Sequence, residues 1–178
     1  MNKIVIDAGH GGSNIGASAN GFIEKHETLK IALRLKDKFD CNDYDVKMIR
    51  TTDEFVANSK RAQIANQFGA DLYVSLHYNG ANNPEAYGTE TLYYAGSNQG
   101  EKAAATVHEE LLTKLMLKDR GLKGRTDLVV LRNTSMPAIL IEPLFLSNAC
   151  DARILRVERG LDNITSAIKT GIDRYFSE

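Results

Sequence analysis

Two histidines and two glutamates stand where chemistry would be placed. His10 lies in Asp7-Ala8-Gly9-His10-Gly11-Gly12, directly after the β-branched run Lys3 to Ile6, and His77 follows the apolar run Leu72 to Leu76. Glu142 ends the run Ala138 to Ile141 and precedes Pro143, whereas Glu24 opens an amphipathic segment after the turn-rich stretch Gly12 to Gly21. Zinc accepts imidazole nitrogen and carboxylate oxygen, and a hydrolytic zinc site uses three protein ligands with one position open for water. His10, His77 and Glu24 meet that donor set. Zinc lowers the pKa of water to about 7 and polarises an amide carbonyl, while a separate carboxylate moves the proton to the leaving amine. Glu142 is the candidate for that second role: after Pro137-Ala138-Ile139-Leu140-Ile141 it should enter a buried environment, where a carboxylate needs a partner or acquires a perturbed pKa.

Blander readings stand beside these. A histidine after a strand also serves as a polar loop residue, and a glutamate in the first turn of a helix stabilises the dipole by about 0.3–1 kcal/mol without a metal. His26, Glu27 and His108 are further candidate ligands, although His26 and His108 fall on charged helical faces, which reads as solvated surface. The glycine-rich turn lacks the G-x-x-x-x-G-K-[ST] pattern of a phosphate cradle, and the chain has no G-x-S-x-G nucleophile elbow.

The elements that must position these side chains alternate. Strands are expected at Lys3 to Ile6, Tyr44 to Ile49, Leu72 to Leu76, Leu128 to Leu131 and Ala138 to Ile141, with an exposed or edge strand at Gly88 to Tyr94. Helices are expected at Glu24 to Phe39, Asn58 to Phe68 with Gly69 as its terminating residue, Asn98 to Leu117, and Ala152 to Tyr175 with a break near Gly160. Asp119 to Gly124 reads as a loop. Such alternation gives one α/β domain, a mostly parallel twisted sheet of about six strands covered by helices on both faces. Ligands of such sheets bind outside the carboxyl ends of the strands, where His10, His77 and Glu142 fall.

Composition narrows the function classes. With 178 residues, 43% of them hydrophobic, the chain suits one compact domain spanning 1–178. A formal net charge of -1 and the lack of long like-charge runs argue against nucleic acid as partner. Cys41 and Cys150 form no C-x-x-C pair and read as ordinary thiols. No apolar run approaches the roughly 18 residues of a membrane span, and the opening residues carry no export-signal pattern. The expectation is a chain without membrane insertion, made in the cytoplasm and released by a separate pore, by lysis, or as part of a larger protein, with a monomer as the default state.

Taken together, the motifs resemble the zinc N-acetylmuramoyl-L-alanine amidases of bacterial autolysins and phage endolysins. The resemblance rests on Ile4-Val5-Ile6-Asp7-Ala8-Gly9-His10-Gly11-Gly12, on Glu24-Lys25 with its helix, and on Ser75-Leu76-His77-Tyr78-Asn79. It also rests on Leu131-Arg132-Asn133-Thr134 with Pro137 to Glu142 and Leu146-Ser147-Asn148. It implies one zinc ion on His10, Glu24 and His77, Glu142 as catalytic acid/base, and peptidoglycan as substrate, acted on at the bacterial cell wall. No separate wall-binding domain is evident in the chain. Tyr78 and Pro143-Leu144 depart from the residues common in that family and are expected to reshape the groove beside the metal. Two other readings share the residues: a zinc peptidase or deacylase acting on another wall amide, and an inactive wall-binding module.

Overall fold

The structure, a computed structural model, describes residues 1–39 and 43–178. The first strand, β1 (Asn2–Ala8), is followed by a short hairpin of β2 (Ser18–Ala19) and β3 (Phe22–Ile23), then by α1 (Glu24–Lys36), β4 (Tyr44–Met48), α2 (Asn58–Phe68) and β5 (Leu72–Leu76). The second half contains β6 (Thr89–Tyr94), α3 (Asn98–Leu115), β7 (Asp119–Arg125), the short α4 (Val129–Arg132) and β8 (Ala138–Glu142). It closes with α5 (Ala149–Ala152), a 3-10 turn over Arg153–Arg156, and α6 (Glu158–Ser177).

Six strands form one sheet in the order β4-β1-β5-β8-β6-β7. Every neighbouring pair is parallel except β6 and β8, which run antiparallel. Successive side chains of a strand point to opposite faces, and the apolar runs therefore feed two cores. Ile4, Ile6, Leu72, Val74, Leu76, Ile139 and Ile141 share one core with residues of α1, α3 and α6. Val5, Tyr73 and Leu140 point the other way, into a core with Ala65 of α2 and Val130 and Leu131 of α4. Continuous apolar runs, not alternating ones, are what a sheet covered on both faces requires.

Four expected elements differ. Asp119 to Gly124, expected as a loop, lies in the edge strand β7, paired in parallel with β6 through Thr91↔Leu122 to Tyr94↔Arg125. Its residues are exposed or half-buried, so the ladder hydrogen bonds of its neighbour, not an apolar run, make it a strand. With β7 outside it, β6 is an interior strand whose Thr89, Thr91 and Leu92 are buried, where an exposed or edge strand was expected. The run Leu128 to Leu131, expected as a strand, instead supplies the helical turn α4, because a short apolar run carries no periodicity to separate the two. The C-terminal break falls at Val157, before Gly160, which lies inside α6; a Cβ there would sit 2.0 Å from the Ile154 carbonyl oxygen, so glycine permits the close approach of the preceding turn. Cys150 is an exposed free thiol, whereas Cys41 lies outside the described residues. Among the described residues no helix is long and apolar enough to cross a membrane.

Candidate metal centre

The carboxyl ends of β1 and β5 are adjacent, since Ala8 pairs with Leu76, and the next residues of each strand turn the chain toward a common point. There the Nε2 atom of His10 lies 2.9 Å from Oε1 of Glu24, Nδ1 of His77 lies 3.0 Å from the same oxygen, and the two nitrogens are 3.1 Å apart. Glu24 reaches the site from the first turn of α1, which the β2–β3 hairpin folds back toward β1. Its two oxygens are oriented by backbone donors, Ala17 N–H at 2.7 Å and Tyr78 N–H at 3.0 Å. Burial alone would raise the pKa of this carboxyl, but the hydrogen bonds of His10 and His77 hold it far below the usual carboxylate range. Glu24 is thus ionised at any working pH.

Nδ1 of His10 faces Oδ1 of Asn14 at 2.9 Å. An amide oxygen only accepts, so the His10 proton belongs on Nδ1 and the Nε2 lone pair points at Glu24 and His77. Acceptors converging at about 3 Å repel unless a cation or a shared proton lies between them. Zinc with bonds of about 2.0–2.2 Å in tetrahedral geometry separates its ligands by about 3.3 Å, close to the observed triangle. The nitrogen, nitrogen and oxygen donors therefore fit a single zinc ion in both chemistry and spacing.

The backbone beneath the site is held by residues that the sequence pattern did not single out. His10 has φ of 62°, a conformation that costs a non-glycine residue about 1–3 kcal/mol unless its surroundings impose it. Arg61, buried on α2, donates to the carbonyls of Ala8 at 2.8 Å and His10 at 2.6 Å, and pairs with the Asp7 carboxylate. That carboxylate also accepts from the hydroxyls of Tyr73 and Ser75, at 2.6 and 2.9 Å. Arg50, buried after β4, donates to the carbonyls of Ala8, Gly9 and Lys25, and Thr28 donates to Gly9 as well. A sequence signal did exist for Arg61: it shares the inward face of α2 with Ala65, where a charged residue needs a partner.

Gly9 sets the position of His77. A Cβ on Gly9 would lie 2.4 Å from Cε1 and 2.5 Å from Nε2 of the His77 ring. Displacing a reacting group by about 1 Å costs on the order of a hundredfold in rate. Gly9→Ala is therefore expected to fold with a Tm near the parent's while its metal affinity and activity fall, activity by about a hundredfold. Calorimetric titration with zinc beside a thermal melt checks this; unchanged metal affinity would show that His77 has room to move.

Glu142 lies one strand further along the sheet. Its β8 neighbour Ile141 pairs with Leu76, and the His77 N–H donates to the Ile141 carbonyl at 3.0 Å, which sets Glu142 beside His77. Asn79 Nδ2 donates to the Glu142 carboxyl and, at 2.8 Å, to Glu90. Burial, then the hydrogen bond and charge of Glu90, push the pKa of Glu142 up to about 8. A partly open cavity of about 110 Å³ lies beside His10 and His77, walled by Asp7, Arg61, Leu128 and Leu140 among others.

Other expected contributors fall elsewhere. Among the described residues the trio His10, Glu24 and His77 is the group placed to hold a metal, and neither Glu27 nor His26 joins it. His26 is exposed, as expected, but His108 is buried, between the hydroxyl of Thr91 at 3.1 Å and the carboxylate of Asp119 at 3.0 Å. The unexpected strand β7 provides the Asp119 that makes this burial affordable. Tyr78 and Leu144, expected to reshape the groove, bury their side chains in the core instead, and Pro143 is buried as well.

The chain is similar in sequence and fold to known proteins. Residues 4–174 match the family model described as N-acetylmuramoyl-L-alanine amidase. The N-acetylmuramoyl-L-alanine amidase CwlM of Bacillus licheniformis is 38% identical across 99% of this chain and 70% of its own length. The endolysin of Bacillus phage SPP1 is 40% identical across 97% of this chain and 65% of its own length. The chain thus spans about two thirds of these relatives. A solved N-acetylmuramoyl-L-alanine amidase from Clostridium difficile 630 superposes with a TM-score of 0.93 at 33% identity, covering 99% of this chain and 97% of that one. The family model spans nearly the full length of the sequence and the relatives match over almost all of it, and the chain belongs to the N-acetylmuramoyl-L-alanine amidase family.

Proposed function

We propose that this chain is a zinc-dependent peptidoglycan hydrolase that cleaves the amide bond between N-acetylmuramic acid and L-alanine at the bacterial cell wall. The observation that carries the reading is the convergence of the His10 and His77 nitrogens on a Glu24 oxygen at 2.9–3.0 Å, one strand away from a carboxyl held for proton transfer. When bound, zinc supplies Lewis acidity, polarising the scissile carbonyl and lowering the pKa of water to about 7. His10, Glu24 and His77 hold it; Asn14, Ala17 N–H and Tyr78 N–H keep those ligands oriented. Glu142 takes the proton of the attacking water and delivers it to the departing L-alanine nitrogen, which leaves as a free amine. Asn79 fixes the Glu142 carboxyl for both transfers.

Digestion of purified peptidoglycan with and without a chelator tests this, with the new ends identified by mass spectrometry. Intact stem peptides bearing free L-alanine amino termini are expected, lost with chelator and restored by zinc. Cleavage inside the stem peptide would establish a peptidase instead, and no cleavage a binding module.

A further inference from the structure

Glu90 faces Glu142 across the antiparallel pair β6–β8, the two residues standing in register. Asn79 Nδ2 donates to both carboxyls, at 2.8 Å to Glu90, so the two stand against one shared donor. The two sides of this pair are not equivalent. Nε of Arg120 donates to Oε2 of Glu90 at 2.8 Å, its guanidinium lies over the Phe145 ring at 4.8 Å, and Asn79 donates to Oε1 of Glu90. Glu90 thus has a cation and an amide on its two oxygens. Glu142, more deeply enclosed, has Asn79 as its donor and no cation on its oxygens among the described contacts.

We propose that Glu90 is a positioning residue for the reaction: fixed by Arg120 and Asn79, its carboxylate stands beside the Glu142 carboxyl and fixes where that carboxyl and its proton sit. The inference rests on Glu142 being the acid/base. Two neighbouring carboxylates cannot both ionise freely, so the one with its own cation stays charged and the proton resides on the other. The charged groups facing Glu142 are consistent with that division. Glu90 on β6 and Glu24 at the head of α1 favour its protonated form, while Arg125 on β7 opposes them. Burial, then Arg120, Glu142 and Asn79, set the state of Glu90, with the partners outweighing burial and holding it below its ordinary range. Once ionised, a base of raised proton affinity takes a proton from water readily, and because Asn79 and the facing Glu90 hold its carboxyl in place, it can return that proton to an amine without reorienting.

The test uses the zinc-loaded full chain with Glu90→Gln, which keeps the shape and leaves an amide able to bond Glu142 and Arg120. Removal of the neighbouring negative charge moves the acidic limb of the kcat/KM profile to lower pH by about one pH unit, a rise of about tenfold in the relative rate below the midpoint. The Glu142 carboxyl, followed by ¹³C NMR of glutamate-labelled protein, titrates lower by the same interval. A residue that merely joined β6 to β8 would lower Tm and leave both midpoints in place, and that result overturns the proposal. Glu142→Gln serves as the control. If that variant is inactive and Glu90→Gln leaves the profile unchanged, the inference about Glu90 fails and the role of Glu142 stands; if Glu142→Gln keeps its activity, the role of Glu142 fails and takes the inference with it.

Discussion

Glu142→Gln is expected to leave zinc content unchanged and reduce hydrolysis by about 10²–10⁴-fold, the range a positioned acid/base contributes. The amide keeps the volume of the carboxyl and can still meet Asn79, but it cannot take a proton from water. None of the three atoms of the metal triangle belongs to Glu142, so metal analysis after dialysis should match the parent. The sign of the stability change separates catalysis from structure. With its pKa raised from 4.5 to about 8, Glu142 is protonated in the folded chain and ionised in the unfolded chain between those values. The unfolded state then binds fewer protons, so the stability this group contributes is fully present below pH 4.5 and is lost as pH rises toward 8. Glutamine cannot ionise, and the variant should equal or exceed the parent in urea unfolding at pH 8 while being inactive. Near-normal activity would remove Glu142 from the mechanism; a variant much less stable at pH 8 would mean that the charge serves the fold.

Ligand removal has the second large effect. His10→Ala and His77→Ala are each expected to lose stoichiometric zinc and with it essentially all turnover, because two remaining donors cannot hold the ion against buffer. Glu24→Ala should do the same, and in addition release the Ala17 and Tyr78 amides that its oxygens now accept. The measurement is zinc per chain by atomic absorption after exchange into metal-free buffer, read beside the peptidoglycan assay. Full retention of zinc in the Glu24 variant would point to another carboxylate, Glu27 being nearest in sequence, although Glu27 lies outside the converging group. Retention in either histidine variant would mean that the triangle is not the metal centre.

The metal candidates were legible because their signal is local. His10 and His77 each follow a short apolar run closed by a turn, the pattern of a buried strand, and a parallel sheet places strand ends together. The same logic located Glu142 and the two-faced sheet. Glu90 was not legible, although it shares a strand face with Leu92, where a carboxylate needs a partner. That partner depends on β6 running antiparallel to β8 and on β7 lying outside it, and neither fact is encoded in spacing along the chain. β7 itself was hidden because an edge strand with glycines and charges carries no apolar period; hydrogen bonding to β6 alone defines it. His108 followed from the same omission, its burial making sense only once Asp119 was in place beside it. Likewise the departures at Tyr78 and Leu144 depended on side-chain direction, and direction put both in the core.

The sequence by itself determined the α/β class, the ends of three strands as the place for chemistry, and the donor types that suit zinc, because strand burial and ligand chemistry depend on neighbours in the chain. Only the tertiary structure decided that two histidine nitrogens and one carboxylate oxygen meet at about 3 Å, that Arg50 and Arg61 clamp the backbone beneath them, and that Glu142 pairs with Glu90. Those are contacts between residues tens of positions apart, fixed by sheet order and register.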